Sequence, residues 1–245
     1  MNMDRQNKRK GILLIALLIF PLFKPFLSPV TVMMGTLHGV IVGGLVIYIS
    51  LFLSSLFVGR AFCGWLCPAG GIQEYCSVVV NKTPKSTKFK KLKYIFWIGL
   101  VSAIAVAVFK SGGLNQIDLL YQSKLNIPEL QEYIIYYAGV GIITVLAFTV
   151  GKRAGCLYIC WLAPFMVVGT KIKELAKYPS LHIKTDPQKC IKCNICNDKC
   201  PMSINIAGRV KNKFIFDSEC IMCGECVDAC PEKVMGYNFG SIKKE

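Results

Sequence analysis

The chain has 245 residues, of which 53% are hydrophobic and only 18% charged, a balance that excludes an ordinary soluble globular protein. Twenty-nine Lys and Arg against 14 Asp and Glu give a net charge of +15. The positives stand in short blocks between apolar runs, which is the pattern of membrane topology rather than of a nucleic-acid-binding face.

Residues 1–10 are polar and basic, and residues 11–23 open an apolar run that starts like a signal peptide. No A-x-A-like cleavage site follows, and Lys24, Pro25 and Phe26 lead into more apolar sequence, so the run reads as a retained first spanning helix over 11–27. Pro21 and Pro25 are expected to kink or end it near its far side. Residues 36–58 form a second span, with Gly39, Gly43 and Gly44 as a close-packing face. Residues 94–109 and 133–150 give the third and fourth. The third is short for a hydrocarbon core of about 30 Å, so its ends are expected to extend into the flanks.

Basic residues set the orientation. Arg5, Lys8, Arg9 and Lys10 precede span one, and Arg60, Lys82, Lys85, Lys88, Lys90, Lys91 and Lys93 follow span two. Lys152, Arg153, Lys171 and Lys173 follow span four. These stretches are expected on the cytoplasmic side. The segments holding Lys24, and Lys110 and Lys124 with Asp118, Glu129 and Glu132, are expected outside. The reading is thus a multi-pass protein of a bacterial inner (cytoplasmic) membrane with both termini cytoplasmic.

A repeat underlies this order. Cys63 and Cys67 follow span two, Cys156 and Cys160 follow span four, and the two pairs are offset by the same 93 positions. Both have the same direction through the membrane, so any symmetry axis runs along its normal. Beyond 178 the composition turns polar, Lys-rich and Cys-rich. The expected architecture is therefore an α-helical membrane anchor over 1–178, four transmembrane helices in two duplicated pairs, followed by a small α+β domain over 179–245. A domain of that size gains folding energy from bound metal.

The strongest motif is Cys190-x2-Cys193-x2-Cys196-x3-Cys200-Pro201, repeated as Cys220-x2-Cys223-x2-Cys226-x3-Cys230-Pro231. This is the bacterial [4Fe-4S] run, in which the fourth Cys ligates the other cluster. One cluster is assigned Cys190, Cys193, Cys196 and Cys230, the other Cys220, Cys223, Cys226 and Cys200. Zinc, which thiolates also hold, fits this doubled spacing poorly.

Residues 180–240 resemble a bacterial 2[4Fe-4S] ferredoxin. The four spans with Gly59-Arg60-Ala61-Phe62-Cys63-Gly64-Trp65-Leu66-Cys67-Pro68 resemble the NapH/NosR-like polyferredoxin family. The resemblance covers nearly the whole chain and is nearest to the NapH type. It implies four spans, two cytoplasmic [4Fe-4S] clusters, and electron transfer between the quinone pool and a periplasmic or other extracytoplasmic ferredoxin-like or reductase partner of anaerobic respiration. It departs at Cys156-Leu157-Tyr158-Ile159-Cys160-Trp161, where no Pro follows the second Cys. A rival reading is redox sensing or electron supply for metalloenzyme maturation.

A C-x3-C pair on a helix is expected to put both sulfurs on one face, so that Cys63, Cys67, Cys156 and Cys160 converge if the halves pack together. Three readings stay open for them: a further metal centre or redox dithiol, a structural or disulfide pair, and a site used only in maturation. Cys76 reads as a buried apolar thiol. His38, near the outer end of span two, is either a proton acceptor for quinol or an interfacial histidine. Trp65, Trp97 and Trp161 read as aromatic-belt residues, Arg60, Arg153 and the lysines over 82–93 as orientation signals, with contact to anionic membrane lipid or an acidic redox partner as the lesser reading, and His182 as a surface residue. No nucleotide-, flavin- or hydrolase-type motif is present.

Overall fold

The computed structural model describes residues 3–80, 82, 84, 88–121 and 129–241. Lys85 and Lys124 lie outside the described residues, as do the side chains of Lys24, Pro25, Lys88, Glu129 and Glu132. The first helix, α1 (Met3–Leu27), starts ahead of the apolar run. Its basic first turns are helical because Arg5 and Arg9 find carboxylate partners elsewhere in the chain. Pro21 does not end it.

The expected second span is broken in two. Helix α2 (Pro29–Leu37) stops at His38, the short strand β1 (Val40–Ile41) follows, and α3 (Gly43–Val58) restarts. Gly39 makes the break, at φ +70°, where a side chain would strain the backbone. Gly44 lets α3 approach α1 and α2: a Cβ there would stand 2.7 Å from Val32 and 2.9 Å from the Phe26 carbonyl. Helix α6 (Leu92–Lys110) extends the third span on both flanks, and α7 (Glu129–Thr149) supplies the fourth. Among the described residues one helix, Phe89–Lys110, is long and apolar enough to cross a membrane by itself, with mean hydropathy 2.1. β1 pairs in parallel with β2 (Gln116–Ile117), which ties the far ends of α3 and α6 together.

The 93-residue repeat is visible in the backbone. After α3 come the one-turn helix α4 (Ala61–Trp65) and then α5 (Pro68–Val79); after α7 come α8 (Ala154–Tyr158) and then α9 (Ala163–Ala176). The second copy gains two residues before its last helix, so Pro164 keeps its place in the first turn although it lies four residues past Cys160.

The C-terminal part is framed by β3 (Ser180–Thr185) and β4 (Met235–Gly240), an antiparallel pair running from Ser180 opposite Gly240 to Thr185 opposite Met235. Between them lie two cysteine loops, each followed by a short helix, α10 (Ile195–Lys199) and α11 (Glu225–Ala229). A single apolar core joins the parts, running from Tyr48 and Leu51 through Leu157 and Met166 to Met202 and Ile221. The start of α1, the end of α3, the start of α6 and the end of α7 all lead into this junction.

Candidate iron-sulfur and thiol sites

The two cysteine loops repeat at an offset of 30 residues, and their backbones repeat with them. Lys192, Asn194 and Ser203 have positive φ, and so do Met222, Gly224 and Lys233 thirty positions later. These left-handed residues curl each loop so that its thiols face one point. At Gly224 a Cβ would also meet the Tyr237 hydroxyl at 2.6 Å. The amide of Ile204 donates to the Cys200 sulfur and that of Val234 to the Cys230 sulfur, both at 3.4 Å.

Two cavities result. Cys190, Cys193, Cys196 and Cys230 line one, and Cys200, Cys220, Cys223 and Cys226 line the other; each encloses about 380 Å³, part of it open to solvent. In each, three thiols come from one loop and the fourth from the other. Soft sulfur donors in an otherwise apolar lining suit an iron-sulfur cluster. Burial pushes the Cys220 and Cys223 thiols up to about 12, and a metal centre held there would supply the positive charge that favours their thiolates. The two cavities differ in access: Cys193 is exposed, whereas Cys200, Cys223 and Cys226 are buried.

The second loop is seated on the helix ends. Gly64 on α4 lies so close to Ile221 that a Cβ would stand 2.2 Å from its carbonyl oxygen. The Trp65 indole N–H donates to the Met222 carbonyl at 2.9 Å, and Gln6 donates to the Cys223 carbonyl at 3.1 Å. Around this contact runs a belt of buried ion pairs. Arg9 bridges Glu74 at 2.6 Å and Glu225 at 2.7 Å; Arg153 holds Glu74 at 2.8 Å. Arg60 and Lys93 share Glu219, at 2.5 and 2.6 Å, and Arg5 pairs with Asp228. The Glu74 carboxyl, raised by burial, is pulled down to about 2 by Arg153 and Arg9.

These contacts correct several sequence expectations. Arg60, Arg153 and Lys93 are fully buried, because each has a carboxylate partner that sequence distance concealed. His182 is buried on β3, not at the surface: its Nε2 lies 2.8 Å from the Ser180 hydroxyl, with its ring beside Phe214 and Phe216. Burial, with Lys173 nearby, lowers its pKa to about 4. Cys76 is half-buried, and His38 is exposed with its ring 6.2 Å from that of Tyr121. Trp97 packs edge-on against Phe165 within the helices, and Trp161 lies between α8 and α9.

The C-x3-C pairs do not lie on single helices as expected. Cys63 is in α4 and Cys67 caps α5; Cys156 is in α8 and Cys160 precedes α9. Each pair is instead closed by a wide turn, Cys67 N–H to Phe62 at 2.9 Å and Cys160 N–H to Gly155 at 3.0 Å, which are equivalent positions in the repeat. The halves then cross-pack: Gln73 on α5 donates to the Cys156 sulfur at 3.2 Å, and Met166 on α9 touches the Cys63 sulfur at 3.9 Å. The four thiols are brought together, within Coulombic reach of one another.

Sequence reasoning missed Glu74, Glu219 and Gln73. Glu74 alone carried a legible signal, as the one charged side chain within residues 61–80.

Comparison with known proteins agrees with this geometry. A 4Fe-4S dicluster domain matches residues 182–231, and a 4Fe-4S binding domain matches residues 40–86. The uncharacterized protein MJ0749 of Methanocaldococcus jannaschii is 27% identical over 165 residues, covering 64% of this chain and 57% of that protein. The putative electron transport protein YccM of Escherichia coli is 22% identical over 194 residues, 70% of this chain and 50% of YccM. Protein NirI of Paracoccus denitrificans is 22% identical over 175 residues, 67% of this chain and 24% of NirI. The 4Fe-4S domain matches and the likeness to YccM and NirI support a NapH/NirI-like polyferredoxin family. The chain spans about half the length of MJ0749 and YccM and a quarter of NirI. No solved structure matches it.

Proposed function

We propose that the chain is a membrane-embedded relay that carries electrons between the quinone pool and an extracytoplasmic reductase or ferredoxin-like partner of anaerobic respiration, as a NapH-type subunit. Two [4Fe-4S] clusters are assigned, one to Cys190, Cys193, Cys196 and Cys230 and the other to Cys220, Cys223, Cys226 and Cys200. When bound, such a cluster supplies one-electron transfer without acid-base chemistry. The residues of the chain position it: left-handed loop residues aim the thiols, the Ile204 and Val234 amides stabilise ligand sulfur, and the docked loop holds one site against the helix ends.

The observation that carries the reading is an inverted polarity. Large apolar side chains point outward on all four long-helix segments, among them Leu18 on α1, Ile49 on α3, Ile95 on α6 and Tyr137 on α7, while Arg9, Arg60, Lys93 and Arg153 are buried. Lipid, not water, suits such a surface. α1, α3, α6 and α7 are accordingly assigned as four spans whose junction with the cysteine loops is cytoplasmic, with both termini on that side.

The test is an anaerobic mixture of the cluster-loaded full chain in lipid with menaquinol or menaquinone, followed by electron paramagnetic resonance. Cluster reduction or oxidation by either supports the relay. No exchange in either direction overturns the quinone link.

A further inference from the structure

The four cysteines of the C-x3-C turns are unused by the assignments above, and their surroundings point to a ligand. Cys63, Cys67 and Cys156 are buried, and Cys160 is half-buried. They come from both halves of the repeat, so they meet only in the finished fold. None is in a disulfide. Among the described residues no three metal-binding side chains stand close enough to share one metal ion. A cluster is different, because each thiolate binds its own iron or shares one within a larger inorganic body.

The charge around the thiols gives a second, independent indication. Arg60 is fully buried, and its Nε and Nη2 atoms have no hydrogen-bond partner. The same guanidinium is within Coulombic reach of Cys63, Cys156 and Cys160, and Arg153, also fully buried, reaches Cys63 and Cys156. Arg9, Arg60, Lys93 and Arg153 together face Glu74, Glu219 and Glu225, which leaves positive charge in excess at this junction. Arg60 has Glu219 as a partner but shares it with Lys93, so the one cation in excess favours an anion beside these groups. An iron-sulfur cluster with four thiolate ligands carries net negative charge. The match of residues 40–86 to a 4Fe-4S binding domain includes Cys63, Cys67 and Cys76 and none of the eight cysteines beyond residue 189.

We propose that Cys63, Cys67, Cys156 and Cys160 jointly ligate a third iron-sulfur cluster, placed between the helix ends and the loop that carries Cys220 and Cys223. Its closest contact is already built, since Gly64 and Trp65 abut Ile221 and Met222 in that loop. One electron passes between the two clusters; one iron centre is oxidised as the other is reduced, and no covalent bond changes. Arg60 is a positioning residue that favours the more negative, reduced form.

The test is iron and acid-labile sulfide analysis of the full chain, purified anaerobically and reconstituted with iron and sulfide, with Mössbauer spectroscopy. Two [4Fe-4S] clusters account for about eight irons and about eight sulfides. The proposal expects an excess of both, by about two each for a [2Fe-2S] centre or about four each for a [4Fe-4S] centre. The double variant Cys63→Ser, Cys156→Ser is expected to lose that excess and keep the other two clusters' signals. Eight irons and eight sulfides in the wild type, or an excess unchanged in the double variant, overturns the proposal. If the double variant loses every cluster, the wild-type count decides alone.

Discussion

The ferredoxin loops and the C-x3-C turns both present cysteines in duplicate, but backbone shapes the first and buried charge surrounds the second. In the loops, three left-handed residues per copy and amides aimed at sulfur do the work, all within a dozen residues of the thiols they serve. In the turns, Arg60 and Arg153 stand beside the thiols and are themselves held by Glu219 and Glu74, far away in the chain. The loops are therefore local devices that tolerate changes elsewhere, whereas the turns depend on the whole junction.

The comparison breaks most readily at Glu74. Replacing it in Glu74→Gln strands Arg9 and Arg153 without their shared carboxylate and is expected to cost about 3–5 kcal/mol in denaturant unfolding of the full chain, while the loop backbone is untouched. A loss under about 1 kcal/mol would show that the charge belt is dispensable. Gly64→Ala is next. The added methyl meets the Ile221 carbonyl and is expected to cost about 1–3 kcal/mol by displacing the loop from α4. Faster amide hydrogen exchange at residues 219–223, with unchanged exchange at 189–193, would mark the effect as undocking.

His182 sharpens the comparison by pH. Its pKa is depressed from 6.5 to about 4, so the unfolded chain takes up the proton first as pH falls. Stability is full above pH 6.5 and is lost as pH drops toward 4, by about 1 kcal/mol between pH 7 and pH 5.5. His182→Gln should flatten that slope in thermal unfolding and leave intact the separate loss from Glu74, which sets in between 4.5 and 2. The smallest effect is expected for Trp65→Phe, which removes one hydrogen bond to Met222 and costs about 1 kcal/mol, read as a small shift in the same exchange experiment.

Legibility in the sequence follows the same division. The cysteines that line each cavity are grouped as the spacing groups them, because the spacing itself produces the loops. The 93-residue repeat was legible and reappears as α3–α4–α5 and α7–α8–α9. The break at Gly39 was not, since periodicity cannot separate a membrane helix from two apolar helices joined by a turn. Nor was the burial of Arg60 and Lys93. Their partner Glu219 lies 159 and 126 positions away, and a basic block beside an apolar run has the same appearance whether it faces water or a carboxylate. The burial of His182 was not legible either, because a lone histidine before a cysteine motif gives no sign that Phe214 and Phe216 will pack on its ring.

The sharing of Glu219 also bears on how the protein is made. Arg60 and Lys93 enter the chain long before their carboxylate, and Arg9 before Glu225. A nascent chain that has threaded its helices but not yet folded the C-terminal part carries unneutralised cations on a face designed to be dry. Folding of the C-terminal part, which brings Glu219 to Arg60 and Lys93, is then the event that neutralises that face.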